Sequence, residues 1–382
     1  MSQRRIRAVF VRGGTSRALV FLRADLPADP AGWDAIFLAA LGSPDPTGRQ
    51  LDGLGGGISS LSKVAVVGPP SRPDADVDYT FGQVEVTRPF VDYKGNCGNI
   101  SSAIGPFAID EGLVPAREPE TLVRIHNTNT RKLVLARVPV EGGRAAVRGD
   151  FALPGVPGTG ARITLHFFDP GGAVTGRLLP TGRARDVLDV PGVGALAASL
   201  VDATNPLVFV RAKDLGLEGT ERPEALDAEA GLPERLEAIR GAAAVRMGLA
   251  RHVEEARRES PAVPKVAFVA PPAAYRTLAG EAVPADGVDL VARVVSMGKV
   301  HRAFALTGAM CLAVAARIEG SLVHEAAAAL GPAGDVRIGH PSGVLPVAAS
   351  VACGPDGAPV AEKVTVYRTA RRLMEGFVLV PA

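Results

Sequence analysis

The sequence lacks a charge excess, a long hydrophobic run and a regular set of cysteines. Its formal net charge is only +2 over 382 residues, whereas nucleic-acid binding depends on concentrated positive charge. The longest uncharged apolar stretch, residues 303–316, is too short to cross the hydrocarbon core of a bilayer, which is roughly 30 Å thick. We therefore predict neither a nucleic-acid partner nor membrane association.

The three cysteines are odd in number and widely separated, at Cys97, Cys311 and Cys353. A disulfide framework needs an even set at regular spacing, so each thiol has to be judged by its neighbours. The first residues run directly into a strand-like alternation, without the apolar segment and cleavage site of a secretory signal. We therefore expect a cytoplasmic protein.

The residues that are present predict a globular, strand-rich chain of two domains. Hydrophobic residues make up 47% and charged residues 21% of the sequence, and this length is enough for two cores. Glycine and proline are frequent, which indicates many turns between short strands. Helices are predicted by period and capping signals over 30–41, from about 100, over 233–259 and over 307–318.

Two predicted buried helices with similar small-residue starts suggest an internal duplication. The first begins at Asn99-Ile100-Ser101-Ser102 and the second at Thr307-Gly308-Ala309, and a looser echo joins Ser62-Lys63-Val64 to Gly298-Lys299-Val300. Chance explains the same pattern, because small residues at helix starts and glycines at helix ends are common. If the duplication is real, two helix N-termini could together hold a di- or tricarboxylate through their amides and dipoles.

Cys97 is the thiol with the most informative neighbours, in the segment Gly95-Asn96-Cys97-Gly98-Asn99 just before the first of these helices. A helix N-terminus can lower a thiol pKa from about 8.5 into the catalytic range, where the thiolate could act as a base. The alternative is a small buried hydrophobic residue, a common role of free cysteine. Cys311 and Cys353 lie in apolar runs, and packing accounts for them.

Lys63 follows a flexible glycine loop, Gly55-Gly56-Gly57-Ile58-Ser59-Ser60, and begins an apolar strand. Partial burial there would depress the pKa of the amine. The alternative is a solvated surface lysine, which is the usual role of this residue type. The loop has neither the Walker spacing nor a Gly-x-Gly-x-x-Gly pattern, so it does not predict a nucleotide site.

Three further polar segments are candidates for binding a carboxylate. The Gly13-Gly14-Thr15-Ser16 turn offers hydroxyls and amides, although an ordinary hairpin turn explains the same residues. His301 follows Lys299 ahead of the second helix, and Ser342 lies in the turn His340-Pro341-Ser342-Gly343. The six histidines show no metal-ligand spacing, so we predict no metal site.

Together these segments resemble the 2-methylaconitate cis-trans isomerase (PrpF) family, from about residue 6 to residue 376. The likeness rests on the motifs at 13–16, 55–63, 95–102, 307–309, 340–343 and 368–372. It implies an α/β (α+β) fold similar to diaminopimelate epimerase. This fold has two pseudo-symmetric domains, each a β-sheet or barrel around a central helix, with the site in the cleft between them. We expect domains at 1–190 and 191–382, the last strand being a candidate for return to the first domain.

The resemblance also implies which residues act. Lys63 and Cys97 match the catalytic residues of the isomerase branch. Epimerases of this fold use a second, facing cysteine, which this chain replaces by Ala305-Leu306. The residues expected to bind substrate are Thr15, Ser16, Ser60, Asn96, Gly98, Asn99, Ser101, Ser102, Lys299, His301, Thr307, Gly308, Ala309 and Ser342.

The activity implied by the resemblance is an allylic proton shift on an aconitate-like tricarboxylic acid such as 2-methylaconitate, without a cofactor. Alternatives within the family are a 4-oxalomesaconate tautomerase, an aconitate Δ-isomerase and a methylitaconate isomerase. An alternative of another class is a non-catalytic carboxylate-binding protein that assists an aconitase-like enzyme. The expected partner is a small di- or tricarboxylate, and a homodimer is left open.

Overall fold

The computed structural model describes residues 2–93, 95–296, 298–328, 330 and 334–382. The chain divides into two units, of which the first comprises Met1–Phe167 with Tyr367–Ala382 and the second Phe168–Val366. The chain therefore leaves the first unit once and returns to it at the end.

Strands outnumber helices in both units. The strands are β1 (Gln3–Gly13), β2 (Ser16–Leu22), β3 (Lys63–Gly68), β4 (Val77–Val84), β5 (Val91–Asp92), β6 (Glu120–Asn127), β7 (Lys132–Glu141), β8 (Arg144–Ala145), β9 (Phe151–Ala152), β10 (Thr159–Gly160), β11 (Ile163–Phe168), β12 (Asp186–Val190), β13 (Gly194–Ala203), β14 (Asn205–Arg211), β15 (Lys265–Ala270), β16 (Tyr275–Arg276), β17 (Ala282–Val283), β18 (Leu290–Ser296), β19 (Lys299–Val300), β20 (Asp335–His340), β21 (Gly343–Cys353), β22 (Pro359–Arg368) and β23 (Ala370–Pro381). The helices are α1 (Trp33–Leu41), α2 (Gly98–Asp110), α3 (Pro223–Ala228), α4 (Leu232–Arg246), α5 (Val253–Glu259), α6 (Leu306–Ala315) and α7 (Leu322–Ala326). The strand-rich prediction is confirmed.

The first unit is a mixed sheet in which antiparallel and parallel pairs alternate. β1 pairs antiparallel with β2, β2 parallel with β3, β3 antiparallel with β4, and β4 parallel with β6. β6 and β7 and then β7 and β11 continue the sheet as antiparallel pairs. The last strand, β23, pairs antiparallel with the whole of β1.

Helix α2 is the core of the first unit, with strands β1, β2, β3, β6, β7 and β23 packed against it. Its sequence permits this because small residues on α2 let the strands approach its backbone. A Cβ atom added to Gly105 would lie 2.8 Å from Val138 Cγ2 and 3.1 Å from Ala136 Cβ. Ile100 and Ile104 are fully buried on the same helix. The expectation of a central helix surrounded by sheet is confirmed for this unit.

The second unit repeats the strand order of the first. β13 pairs antiparallel with β14, β14 parallel with β15, β15 antiparallel with β18, and β18 parallel with β20. The short strands β5 and β19 occupy the same place in this order, each paired to the preceding long strand and each followed by a buried helix. Helix α6 is therefore the counterpart of α2, as the two helix starts predicted.

The predicted echo of Lys63 in the second half is wrong. Lys63 begins β3, and the strand in the equivalent place is β15, which begins at Lys265. Lys299 instead lies on β19, the counterpart of β5. The two matching strands read Lys-Val-Ala-Val-Val and Lys-Val-Ala-Phe-Val, so the repeated sequence lay farther upstream of the second helix than we expected.

Two predicted boundaries differ from the structure. The first unit ends at Phe167 rather than at residue 190, because β12 pairs with β13, a strand of the second unit. The predicted helix over 233–259 is two helices, α4 and α5. Gly248 lies between them with a φ of 75°, a left-handed conformation that interrupts a right-handed helix.

The described residues contain no helix long and apolar enough to cross a bilayer. Within the same residues, no group of three or more histidine, cysteine, aspartate or glutamate side chains is arranged to hold a metal ion.

Candidate active site

Lys63 is a buried amine in the first unit, only 8% exposed at the start of β3. Its Nζ lies 5.1 Å from the centre of the Phe81 ring and donates a hydrogen bond to Oε1 of Gln83. Both partners are uncharged. Burial lowers the pKa of Lys63 from its ordinary value of 10.5, while a negative charge on Cys97 opposes that fall. Lys63 therefore releases its proton more readily than a surface lysine does.

Gln83 on β4 holds the amine of Lys63 in one orientation. The Nε2 group of Gln83 donates hydrogen bonds to the backbone carbonyls of Ser59, at 3.1 Å, and Ser62, at 2.8 Å. With its NH₂ group turned to these carbonyls, the amide can only present its oxygen to Lys63. The turn that precedes β3 thus fixes the orientation of the amide oxygen that accepts the hydrogen bond from Lys63.

The glycine-rich segment before Lys63 is packed around Gln50, which is buried. Nε2 of Gln50 donates to the hydroxyls of Ser43, at 2.8 Å, and Ser62, at 2.7 Å, and its Oε1 accepts from the Gly57 amide at 3.0 Å. A Cβ atom on Gly55 would lie 2.2 Å from the same oxygen. The prediction of a flexible loop is corrected, because these glycines allow close packing that supports β3.

Cys97 lies immediately before α2, in extended backbone, with a half-buried side chain. Its carbonyl accepts the first helical hydrogen bond, from the amide of Ser101 at 2.9 Å. Among the described residues, no side chain caps this helix end. The first amides of α2 have no partner within the helix, so the positive end of the helix dipole is available beside the thiol. The predicted placement of Cys97 at a helix N-terminus is thus what the structure has.

Asn99 connects the start of α2 to the hairpin turn between β1 and β2. Its Nδ2 donates to the hydroxyls of Thr15, at 3.0 Å, and Ser16, at 3.4 Å. Its Oδ1 accepts from Nε of Arg368 at 3.1 Å. Three residues predicted to bind substrate therefore lie together, and Arg368 joins them. The same Arg368 is near enough to Cys97 for a thiolate there to act on its pKa.

The hairpin turn reaches α2 because Gly13 has no side chain. A Cβ atom at Gly13 would lie 2.5 Å from the backbone oxygen of Asn99 and 3.3 Å from Cβ of Ala103. Oxygen and carbon atoms cannot approach that closely, so any larger residue would push the turn away from the helix. Gly13 and Gly14 are therefore needed for this contact as well as for the turn.

Several predicted binding residues use their polar groups within the protein. The hydroxyl of Ser101 donates to Oδ1 of Asn96 or to the carbonyl of Cys97, both at 3.1 Å, and that of Ser102 donates to the Asn99 carbonyl at 2.6 Å. Ser101 and Ser102 are fully buried. Their hydroxyl protons are therefore used in hydrogen bonds within the protein, at the start of α2.

Two other predicted residues are placed by the backbone. Gly98 is the first residue of α2, and Ser60 lies in the short turn Ser59–Leu61.

Thr307, Gly308 and Ala309 form the first turn of α6 in the second unit. The residue in the place of Cys97 is Ala305, which precedes α6 and offers no thiol. The carbonyl of Thr307 accepts a hydrogen bond from the hydroxyl of Thr204 at 2.9 Å. No side chain in the described part of the chain caps this helix either. A role for this turn in substrate binding stays a prediction.

The other predicted residues of the second unit have contacts of their own. Lys299 is exposed, with Nζ 4.0 Å from a carboxylate oxygen of Asp227. The hydroxyl of Ser342 donates to the carbonyl of Arg302 at 2.5 Å. The backbone amide of His301 donates to the Val294 carbonyl at 2.9 Å. Their assignment to substrate binding also stays a prediction.

Gln83 and Arg368 are the residues of the site that the sequence interpretation missed. Gln83 lies 20 positions along the chain from Lys63, which it contacts. Arg368 lies 269 positions from its partner Asn99. No local pattern marks Gln83 as a partner of a lysine. Arg368 did lie in a motif of the family resemblance, the segment 368–372, but nothing in its neighbours indicated that it is buried.

Comparison with known proteins identifies close relatives over the full length. The family model described as "PrpF protein" matches residues 3–381. A 3-methylitaconate isomerase of Eubacterium barkeri is 47% identical, with 99% of this chain and 98% of the relative covered. A 2-methyl-aconitate isomerase of Shewanella oneidensis is 42% identical, with the same two shares covered.

Solved structures are also similar to this chain over nearly its full length. The crystal structure of a methylitaconate-delta-isomerase superposes with a TM-score of 0.86 at 47% identity and covers 100% of this chain and 97% of that chain. A hydroxyproline epimerase of Agrobacterium vitis shares only the fold, with a TM-score of 0.57 at 15% identity, covering 99% of this chain and 94% of that chain. The epimerase-like fold predicted from the motifs is confirmed.

The contact between the hairpin turn and α2 can be tested by Gly13→Ala. The added methyl group meets the Asn99 carbonyl, so we expect the free energy of unfolding to fall by about 1–3 kcal/mol, measured by urea denaturation. Gly95→Ala is the matched control, because a Cβ atom there has nothing within 4 Å. It should change stability by no more than about 0.5 kcal/mol. Equal losses in the two variants would contradict the contact.

Proposed function

Because the chain belongs to the PrpF protein family, we propose that it catalyses an allylic proton shift on an aconitate-like tricarboxylic acid, with 2-methylaconitate as the first candidate substrate. The protein is an isomerase, as are its named relatives at 47% and 42% identity. We further propose that Lys63 and Cys97 transfer the proton.

The observation that carries this proposal is the environment of Lys63. A general base works best when its pKa lies near the operating pH, and burial against uncharged partners lowers the pKa of a lysine in that direction. Lys63 has such partners in Phe81 and Gln83. A negative charge on Cys97 opposes the fall of the Lys63 pKa, which supports an amine and a thiol acting together. An amine and a thiol together can remove a proton and return one.

The proposed reaction begins with removal of a proton from the carbon next to a double bond that bears a carboxylate. The electron pair of the C–H bond delocalises through the double bond into the carboxylate, which gives a dienolate. Rotation followed by return of the proton to the same carbon gives cis-trans isomerisation. Return of the proton to the far end of the system moves the double bond. In both outcomes the substrate loses one proton and regains one, so its composition and net charge are unchanged.

Lys63 and Cys97 divide the roles of base and acid between them. The uncapped N-terminus of α2 lies beside Cys97 and would stabilise negative charge that develops on the substrate. Such preorganised dipoles commonly supply the largest single contribution to catalysis. We propose that the start of α6 binds a carboxylate in the same way, through free backbone N–H groups and the helix dipole.

Double-bond migration in methylitaconate is the second candidate function. It is favoured by the 47% identity and TM-score of 0.86 with proteins named for that reaction. Both candidates use the same dienolate chemistry, so the site described above serves either one. Cytoplasmic placement and a homodimer remain predictions.

The proposal is tested by incubating the purified protein in deuterated water with a panel of acids. The panel contains cis- and trans-aconitate, 2-methylaconitate, methylitaconate and 4-oxalomesaconate, and NMR follows deuterium incorporation and isomer formation. We expect incorporation into at least one acid. Lys63→Met and Cys97→Ser should each lower the rate by about 10² or more.

Lys265→Met is the matched control for this experiment, since Lys265 begins the equivalent strand β15 and its Nζ donates to a backbone carbonyl. It should keep a rate within a few-fold of the wild type. Absence of deuterium exchange with every acid would refute the isomerase mechanism and favour a carboxylate-binding accessory role. Normal exchange in Lys63→Met would remove Lys63 from the mechanism.

Gln83→Glu tests whether an uncharged partner sets the pKa of Lys63. A carboxylate beside the amine favours its protonated form and should raise the pKa of Lys63 by about 1 unit or more. The limb of the pH profile of kcat/KM that reports Lys63 should therefore move to higher pH, whether Lys63 is the base or the acid. Gln83→Met, which adds no charge, should produce no upward movement. Identical profiles for Gln83→Glu and the wild type would contradict this role of Gln83.

A further inference from the structure

Arg368 is a buried cation in the first unit, at the end of β22. Only 4% of it is exposed. Its Nε donates to Oδ1 of Asn99 at 3.1 Å and its Nη1 donates to the backbone carbonyl of Tyr367 at 2.8 Å. Both acceptors are uncharged. A guanidinium carries five N–H donors, so these two bonds leave others for a ligand.

Among the described residues, no carboxylate forms an ion pair with Arg368. Arg372, four positions later, differs because it forms ion pairs with carboxylates. Arg372 lies 2.8 Å from a carboxylate oxygen of Glu111 and 2.6 Å from one of Glu375. Within the described residues, an arginine close in sequence therefore has acidic partners, and Arg368 has none.

An unpaired buried charge destabilises the folded protein, and arginine cannot easily relieve that cost by losing its proton. Burial lowers the pKa of Arg368 to about 9, and a negative charge on Cys97 opposes that fall. The guanidinium is therefore still charged near neutral pH. Such a group is expected to gain an anionic partner when the site is filled.

The surroundings of Arg368 favour an anion supplied by the substrate. Asn99 joins Arg368 to the uncapped first turn of α2, which carries the positive end of a helix dipole. Lys63 adds a second buried cation that interacts with the same thiol. One thiol group cannot balance two cations and a helix end, whereas an acid with two or three carboxylates can.

We propose that Arg368 binds a carboxylate group of the substrate, with Asn99 holding the guanidinium in position. The class of ligand rests on the proposed function, since aconitate-like acids carry several carboxylates. A guanidinium suits this task because it can donate two parallel hydrogen bonds to one carboxylate. Binding beside Cys97 would hold the substrate next to the groups that move its proton.

The test measures binding of tricarballylate, a saturated tricarboxylate without an allylic proton, by isothermal titration calorimetry at pH 7. We expect the wild type to bind it and Arg368→Gln to raise the dissociation constant by about tenfold to a hundredfold. Arg368→Lys keeps the charge but not the paired donors, so it should raise the dissociation constant by about tenfold. It also gives the test a second variant that retains the buried cation if Arg368→Gln does not fold.

Arg371→Gln is the matched control, because it removes one positive charge from the exposed face of the neighbouring strand. Its dissociation constant should stay within about threefold of the wild type. Unchanged binding in both Arg368 variants, an equal loss in Arg371→Gln, or no binding to the wild type would overturn the assignment of Arg368. A wild type that binds tricarballylate but exchanges no deuterium with the acid panel would refute the isomerisation proposal alone.

Discussion

The first unit depends on one constraint, the burial of helix α2 among strands on several sides. Small residues on the helix and on the hairpin turn make this burial possible, and Gly13 and Gly105 mark two of the close approaches. The buried helix has no side-chain cap in the described residues. Its N-terminal amides therefore become a fixed electrostatic feature of the site, and Cys97, Asn99 and Arg368 are arranged around it.

Uncharged partners around buried cations are the second feature of the site. Lys63 contacts an amide oxygen and an aromatic ring, and Arg368 contacts an amide oxygen and a backbone carbonyl. Ion pairs with carboxylates would stabilise both cations but would raise the pKa of the lysine and occupy the donors of the arginine. The empty site is therefore less stable than an ion-paired one, and both groups remain available to the polycarboxylate substrate that we propose.

Much of this could be predicted from the sequence where the signals are local. The helix after Cys97, the strand that begins at Lys63 and the duplicated helix start were all predicted, because capping and hydrophobic period act over a few residues. Lys265 was missed as the counterpart of Lys63, since only strand order reveals the equivalence. Gln83 and Arg368 were missed because their contacts join distant parts of the chain. The domain boundary near residue 190 failed for the same reason, as strand pairing decides it.

We infer that Lys63 is a buried amine whose protonation is coupled to Cys97. The decisive measurement follows the Lys63 Nζ signal with pH by ¹⁵N NMR in the wild type and in Cys97→Ser, with Lys63→Met to identify the signal. We expect a pKa of Lys63 below 10.5 in the wild type and a lower pKa in Cys97→Ser, because the charge that opposes the fall is gone. A pKa at or above 10.5, or the same pKa in both proteins, would rule out a buried amine coupled to the thiol.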